Sequence, residues 1–311
     1  MVDKHIKVTK LDLDLPNIDK DIKIKHFADL HYCSSYDDAK LEIIKRNIDE
    51  ANPDYVCISG DLIDSTNFLV TDREKRNHLV NWLRELASVR PVFFSIGNHD
   101  ISYFTSNGFR VEWNEGFIRE IADIPGLVIL NNKIVYEDDN INIKGLILPF
   151  KYYYTENRKE DLKKMLRILE EQKSRLSKLS SSKVNILLCH SPIYLTNEEV
   201  TKYIEGFDLV LCGHMHNGCI PPFLDEIFKG NRGIISPSKT LFPSNARGII
   251  EKDINGHKTT IVINSGIIKI QECAPLFLEK LNCFFPIGIN DINVNRSENS
   301  KVLVKTSSYY T

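Results

Sequence analysis

Five short apolar runs in this chain each end on a residue able to hold a metal ion. Asp29, Asp61, Asn98, His190 and His214 stand at those ends, and His31 and His216 lie two residues beyond the first and last. The set offers carboxylate, amide and imidazole donors without a thiolate. It suits borderline divalent ions such as Mn, Fe, Co, Ni or Zn better than calcium, which prefers oxygen alone. A further imidazole and carboxylate, His99 and Asp100, follow Asn98 directly in Gly97-Asn98-His99-Asp100. Any one of these is ordinarily a polar turn or a hydrogen-bonded structural residue. The weight lies in their joint occurrence: of nine histidines, His31, His99, His190, His214 and His216 all fall at these ends.

The elements that must position these residues can be read from pattern. The runs are Ile22 to Ala28, Tyr55 to Gly60, Val92 to Gly97, Val184 to Cys189 and Leu209 to Gly213. Each is short and nearly continuous in apolar residues, as strands buried on both faces are. Helical stripes fill gaps between them. Asp37-Asp38 open one carrying Leu41, Ile44 and Ile48, stopped by Pro53. Asp72 opens a second with Leu79, Trp82, Leu83 and Leu86, closed before Pro91. A longer charged helix runs from about Asn157 to Leu179, with Leu162, Met165, Leu166 and Leu169 on its stripe and a solvated opposite face. Strand pairs follow between Val128 and Leu148 and from Gly248 to Ile270, turning at Asp138-Asp139-Asn140 and Asn255-Gly256. Strands alternating with helices, then strand pairs, predict mixed sheets covered by helices. No Pro-, Gly- or Ser-rich linker divides the chain, so one domain is expected over 1–290 with a C-terminal tail over 291–311.

Composition excludes several classes. The 311 residues carry 40 Lys and Arg against 42 Asp and Glu, a formal charge of −2. That balance argues against gripping nucleic acid by charge alone, and no specific nucleic acid or protein partner is indicated. Seven cysteines, an odd number with no C-x-x-C pair, point to a reducing compartment instead of a zinc ribbon or dithiol site. No stretch approaches the roughly 18 apolar residues of a membrane span. A cytoplasmic location is expected, with peripheral membrane contact if an N-terminal anchor precedes this chain.

The series Asp29-Leu30-His31, Gly60-Asp61, Gly97-Asn98-His99-Asp100, His190 and Gly213-His214-Met215-His216 resembles the calcineurin-like metallophosphoesterase superfamily, block for block and in order, over roughly residues 22 to 266. The resemblance implies a four-layer α/β/β/α sandwich of two mixed β-sheets flanked by helices. It implies two divalent transition-metal ions (Mn, Fe or Zn). One would be held by Asp29, His31 and His216, the other by Asn98, His190 and His214, with Asp61 bridging both. It further implies hydrolysis of a phosphodiester or pyrophosphate by a hydroxide shared between the ions. His99 would assist the leaving group and Asp100 would orient His99. Chemistry supports such roles: paired cations clamp the attacking and departing oxygens, and a shared carboxylate offsets their repulsion. A phosphomonoesterase or a nuclease would use the same site; a catalytically silent protein-binding scaffold would show gaps in the metal shell, and here every position is filled.

Outside the metal shell the branches differ. Protein Ser/Thr phosphatases carry an Arg shortly after the Gly-Asp block, whereas here the stretch reads Gly60-Asp61-Leu62-Ile63-Asp64-Ser65. The sequence looks more like a bacterial, partly membrane-associated branch that includes UDP-2,3-diacylglucosamine pyrophosphatases, on the strength of Leu241-Phe242-Pro243, Ala246-Arg247-Gly248 and Asn264-Ser265-Gly266-Ile267. It departs from that branch at Asn217-Gly218-Cys219. The substrate expected is a small-molecule or lipid-linked phosphoester. Two loops are expected to shape specificity: 101–119, with Tyr103, Phe104, Phe109, Arg110, Trp113, Phe117 and Arg119, and 220–247, with Pro221, Pro222, Phe223, Phe228, Arg232, Leu241, Phe242 and Arg247. Arg247 is the expected phosphate contact.

Overall fold

The computed structural model describes residues 6–16, 18–67, 71–104, 110–112, 116–153, 158–221, 224, 227–228, 230–237, 240–266, 287–297 and 302–310. Its strands are β1 (Ile6–Leu15), β2 (Ile22–Phe27), β3 (Tyr55–Ile58), β4 (Val92–Ser95), β5 (Ser102–Phe104), β6 (Arg110–Glu112), β7 (Leu127–Leu130), β8 (Val135–Glu137), β9 (Ile141–Leu146), β10 (Val184–Cys189), β11 (Leu209–Cys212), β12 (Gly248–Ile254), β13 (His257–Ile263), β14 (Ile287–Arg296) and β15 (Leu303–Tyr310). The helices that matter here are α1 (Ala39–Ala51), α2 (Arg73–Val89), α3 (Gly116–Ala122), α4 (Phe150–Tyr153), α5 (Arg158–Leu176) and α6 (Glu198–Thr201).

Apolar side chains sort into three separate layers, and three interiors require four layers of structure. Within β3, Val56 and Ile58 face α1 and α2, packing with Leu41, Ile44, Ile48, Leu79 and Leu83. Tyr55 and Cys57 point the other way, into a second core shared with Ile143, Ile186 and Leu211 of the opposite sheet. Leu187, Cys189 and Val210 turn their backs on that core and meet Met165, Leu169 and Leu176 of α5. This period-two alternation of two apolar faces explains why the strands read as unbroken apolar runs. The result is an α/β fold of two mixed sheets flanked by helices.

The first sheet has seven strands in the order β15-β1-β14-β2-β3-β4-β7, and the second has six, β12-β13-β11-β10-β9-β8. β2, β3, β4 and β7 run parallel, as do β9, β10, β11 and β13. Helix boundaries follow local chemistry. The Asp72 side chain accepts a hydrogen bond from the Lys75 N–H at the start of α2. Asn52, at φ 43°, ends α1 in the left-handed region just before Pro53.

One boundary departs from the sequence reading. Residues 291–311 contain most of β14 and all of β15, and position 290 falls inside a strand. β14 lies between β1 and β2, parallel to the first and antiparallel to the second. Ile287, Ile289, Ile292 and Val294 are buried there. Lys25 of β2, itself buried, pairs with Asp291 of β14. Alternating apolar and polar residues make this segment resemble a polar tail in sequence, yet they suit a strand with one face in each core.

Candidate metal centre

All five metal-bearing loops leave the carboxyl ends of parallel strands, where a layered α/β fold opens its crevice. Backbone pairing continues past the strand ends: the Asp29 N–H donates to the Gly60 carbonyl at 3.0 Å, and the His31 N–H to the Asp61 carbonyl at 3.0 Å. That ladder carries Asp29 and His31 alongside Asp61. Five residues of the centre adopt left-handed backbone, Asp29 (φ 53°), His31 (48°), Asp61 (52°), His214 (70°) and His216 (46°). Such conformations cost about 1–3 kcal/mol each and persist where the surroundings over-determine them. The glycines allow the closeness: a Cβ on Gly97 would collide with Asp61 Oδ1, and one on Gly60, at φ 94°, would meet His190 Nδ1.

Two buried clusters result. Asp29, His31 and His216 form one, and Asp61, His190 and His214 the other, with their ligand atoms within 4.8 Å of one another in each. Asp61 Oδ2 stands between them, 3.0 Å from His190 Nε2, 3.9 Å from His31 Nε2 and 4.0 Å from His99 Nε2. His190 Nε2 in turn lies 3.9 Å from Asp29 Oδ1. Six of the seven donors expected from the sequence stand in these two clusters, and the seventh, Asn98, is buried at 3% exposure directly before His99, whose N–H donates to Asp61 Oδ1 at 2.8 Å. His99, 8% exposed, is at its edge with its ring 4.5 Å from that of His31.

The donor set fits metal. His216 Nδ1 is buried and meets no hydrogen-bond partner among the described residues. A buried nitrogen left so is costly unless something binds it. His190 Nδ1 sits 2.7 Å from the Ser59 carbonyl, which places the proton on Nδ1 and turns Nε2, the ligating nitrogen, towards Asp61. Charge tells the same story. Burial pushes Asp29 up to about 7, opposed by His190 and reinforced by Asp61. Burial also works against a charged His190, but Asp61 and Asp29 outweigh it and push the imidazole up to about 9. Burial, then the His190 charge, pushes His214 down to about 3. Carboxylates and imidazoles compete here for protons that a divalent cation would displace.

Asp100 does different work from that expected. Its Oδ2 accepts the N–H groups of Asp61 (2.9 Å) and Gly97 (2.7 Å), and its Oδ1 those of Leu62 (2.8 Å) and Ile63 (3.2 Å). Both oxygens are thus spent tying the Gly-Asp loop to the Gly-Asn-His loop. The group at His99 Nδ1 is instead the Asp64 carbonyl, at 2.6 Å. The Asp64 carboxylate lies 3.8 Å from His99 Nδ1 and 3.7 Å from His31 Nδ1. Orientation of His99 therefore belongs to Asp64, three residues after Asp61, to which the sequence pattern assigns no role.

Asp29 has a second task, and one further residue stands at the centre without a sequence assignment. Asp29 holds the His214 N–H through both oxygens, at 2.9 and 2.8 Å, and so ties one sheet to the other. Tyr153 places its ring 5.0 Å from His214 and 5.9 Å from His190. Its only signal in sequence was a run of tyrosines at 152–154. Of the loops expected to shape specificity, Phe117 packs in the first core, whereas Leu241 and Phe242 are exposed. The side chains of Tyr103, Phe104, Phe109, Arg110 and Trp113, with Pro222, Phe223 and Ile267, lie outside the described residues. Arg247 lines a separate cavity of about 380 Å³ with Lys7, Thr9 and Asn217, the last being the residue after His216.

Comparison with known proteins identifies a family. A family model described as calcineurin-like phosphoesterase matches residues 22–218. An uncharacterised metallophosphoesterase of Campylobacter jejuni is 27% identical over 230 residues, covering 71% of this chain and 51% of the relative. One from Helicobacter pylori is 28% identical over 219 residues, covering 70% and 50%. The chain spans about half the length of these two curated relatives. A dimetal phosphatase from Danio rerio aligns over 80% of this chain and 88% of its own, with a TM-score of 0.47 and 11% identity. Because the family match takes in more than half of the chain and every donor of both clusters, this protein belongs to the calcineurin-like phosphoesterase family.

Proposed function

We propose that this chain is a cytoplasmic, metal-dependent hydrolase of phosphodiesters or pyrophosphates. The observation that carries the reading is Asp61 Oδ2 set between two buried donor clusters, which matches a centre for two divalent ions. Asp29, His31 and His216 would hold one ion; Asn98, His190 and His214 would hold the other, and Asp61 both. When bound, such a pair lowers the pKa of water and offsets the charge that develops on the phosphoryl oxygens. The protein's own groups do the rest. Asp64 keeps the proton of His99 on Nδ1 through its carbonyl. That leaves His99 Nε2 directed at the centre, 4.0 Å from Asp61 Oδ2, where the ring, once protonated there as well, would give the Nε2 proton to the departing oxygen and return to its neutral Nδ1–H form. Asp100 fixes the two loops that carry Asp61 and Asn98, so the donors need not reorganise when the ions enter.

The test combines elemental analysis of purified protein with Mn²⁺-supplemented assays on bis(p-nitrophenyl) phosphate and p-nitrophenyl phosphate. About two transition ions per chain with diester turnover is the expected result. A strong preference for the monoester would replace the diesterase reading with a phosphatase. Failure to bind metal even after reconstitution would overturn the enzyme reading.

A further inference from the structure

Beside the metal centre, on the His214 side, opens a cavity of about 360 Å³. Its size is that of a small-molecule site. Tyr152, Tyr153 and Tyr194 line it, and His214 reaches it from the metal cluster. The three tyrosine rings form one aromatic wall, Tyr152 standing 5.1 Å from Tyr153 and 6.1 Å from Tyr194. Asn197 and Asp161 also line the cavity.

Asp161 decides what such a cavity accepts. It lies in the first turn of α5 and is only 7% exposed. Its Oδ1 accepts no hydrogen bond among the described residues, and the cation paired with it, Lys164 Nζ, is 3.8 Å away. No Lys or Arg is among the described residues lining the cavity. A second phosphate or a carboxylate placed here would face a buried carboxylate, with no cation among the described lining residues to offset it. An acyl chain would desolvate that carboxylate against hydrocarbon, which is costlier still. A flat ring bearing N–H or O–H donors satisfies both features: its faces lie on tyrosine and its donors reach Asp161.

From this geometry, and resting on the hydrolase reading above, we infer that the cavity beside His214 receives the uncharged heterocycle of a nucleoside whose phosphoester lies over the metal cluster. Tyr194 and Tyr153 would stack on the base, and Asp161 would accept its ring N–H or amino group. The cavity lined by Arg247 and Lys7 has the opposite character and is not its counterpart.

The test uses the Mn²⁺-loaded chain and two diesters with the same leaving group, thymidine 5′-(p-nitrophenyl phosphate) and methyl p-nitrophenyl phosphate. The thymidine ester is expected to exceed the methyl ester in kcat/KM by about tenfold or more. Asp161→Asn, nearly isosteric, is expected to reduce that ratio about tenfold, chiefly through KM. Tyr194→Leu should reduce it as well, by a separate route, should the Asn variant fold poorly. Equal kcat/KM for the two esters, or a ratio unmoved by both substitutions, would overturn the inference. Calorimetry of thymidine and guanosine against the same protein separates the two readings. Nucleoside binding that weakens in Asp161→Asn, with neither ester turned over, would support the cavity assignment while sinking the hydrolase. Turnover of the methyl ester without nucleoside binding would do the reverse.

Discussion

The two sheets bring different chemistry to one site. From the first come two carboxylates, an amide and two imidazoles: Asp29, Asp61, Asn98, His31 and His99. From the second come only imidazoles, His190, His214 and His216. With ions bound, the first sheet would therefore supply the negative charge that neutralises them, and the second would complete the coordination with imidazole nitrogen. Their supports differ to match. The first-sheet loops are bound to one another through Asp100 and the Asp29–Gly60 and His31–Asp61 ladder. Each second-sheet histidine with a described tether takes it from the first sheet, His214 from Asp29 and His190 from Ser59. The first sheet thus acts as the frame and the second docks against it.

The sharpest way to break this comparison is to remove one donor from each side. Asp61→Ala deletes the carboxylate set between the two clusters and should leave the protein without either ion and without turnover. The loss should exceed the roughly 10–100-fold in metal affinity typical of an outer-shell residue. His190→Ala deletes one neutral donor and should weaken one ion while the other stays. Metal content by elemental analysis, before and after dialysis, reads the contrast directly. Equal losses in the two variants would mean that charge from the first sheet is not what holds the ions.

His99→Ala tests whether the first sheet also carries the proton chemistry. The ring touches the centre from its edge, with Nδ1 on the Asp64 carbonyl. Its removal should leave metal content intact and lower kcat by about 10²–10⁴-fold, the usual worth of a positioned acid or base. Metal content and single-turnover rates on the same preparation check this. A variant that loses ions in proportion to rate would make His99 a ligand instead.

Asp100→Asn sharpens the idea of the frame. Asparagine keeps the shape but presents an N–H₂ where Asp100 now accepts from the backbone. Donor would face donor, and each unmade bond of this kind costs about 1–3 kcal/mol. Thermal unfolding of the metal-free protein should shift downward, and metal affinity should fall by about 10–100-fold. No change in the pH profile of kcat is expected, because Asp100 spends its oxygens on the backbone and not on His99.

How legible this was in the sequence follows from where each signal lives. Asp29, Asp61, Asn98, His190 and His214 were readable because each ends a short apolar run, and strand, turn and donor are contiguous in the chain. The ends of α1 and α2 were readable for the same reason: Pro53 and Asp72 act on their immediate neighbours. β14 was not readable. It pairs with β1, whose Ile6 lies opposite Ile287, and nothing local announces a partner so far along the chain. The role expected of Asp100 falls to Asp64 for a related reason. Their sequence positions place both near His99, but which of them faces its ring is set by the turn after Asp61, where three N–H groups converge on Asp100. The Ser59 carbonyl, being backbone, carries no residue-type signal at all.

The smallest effect concerns the frame under acid. His26 of β2 is fully buried, with Nε2 2.8 Å from Ser59 Oγ, in the residue whose carbonyl orients His190. Burial pushes this imidazole down to about 3 from its ordinary value of 6.5. The unfolded chain takes up a proton near 6.5 and the folded chain does not until far lower. The stability His26 contributes is therefore fully present above pH 6.5 and is lost as pH falls from there towards 3. The slope is at most about 1.4 kcal/mol per pH unit. Urea unfolding of the metal-free protein at pH 7 and pH 5 should show this loss, and His26→Asn, which cannot titrate, should show a shallower one. Because the metal ligands are common to both proteins, their protonation cancels in the difference. An identical pH slope in the two proteins would mean that the acid sensitivity belongs to the metal cluster and not to the frame beneath it.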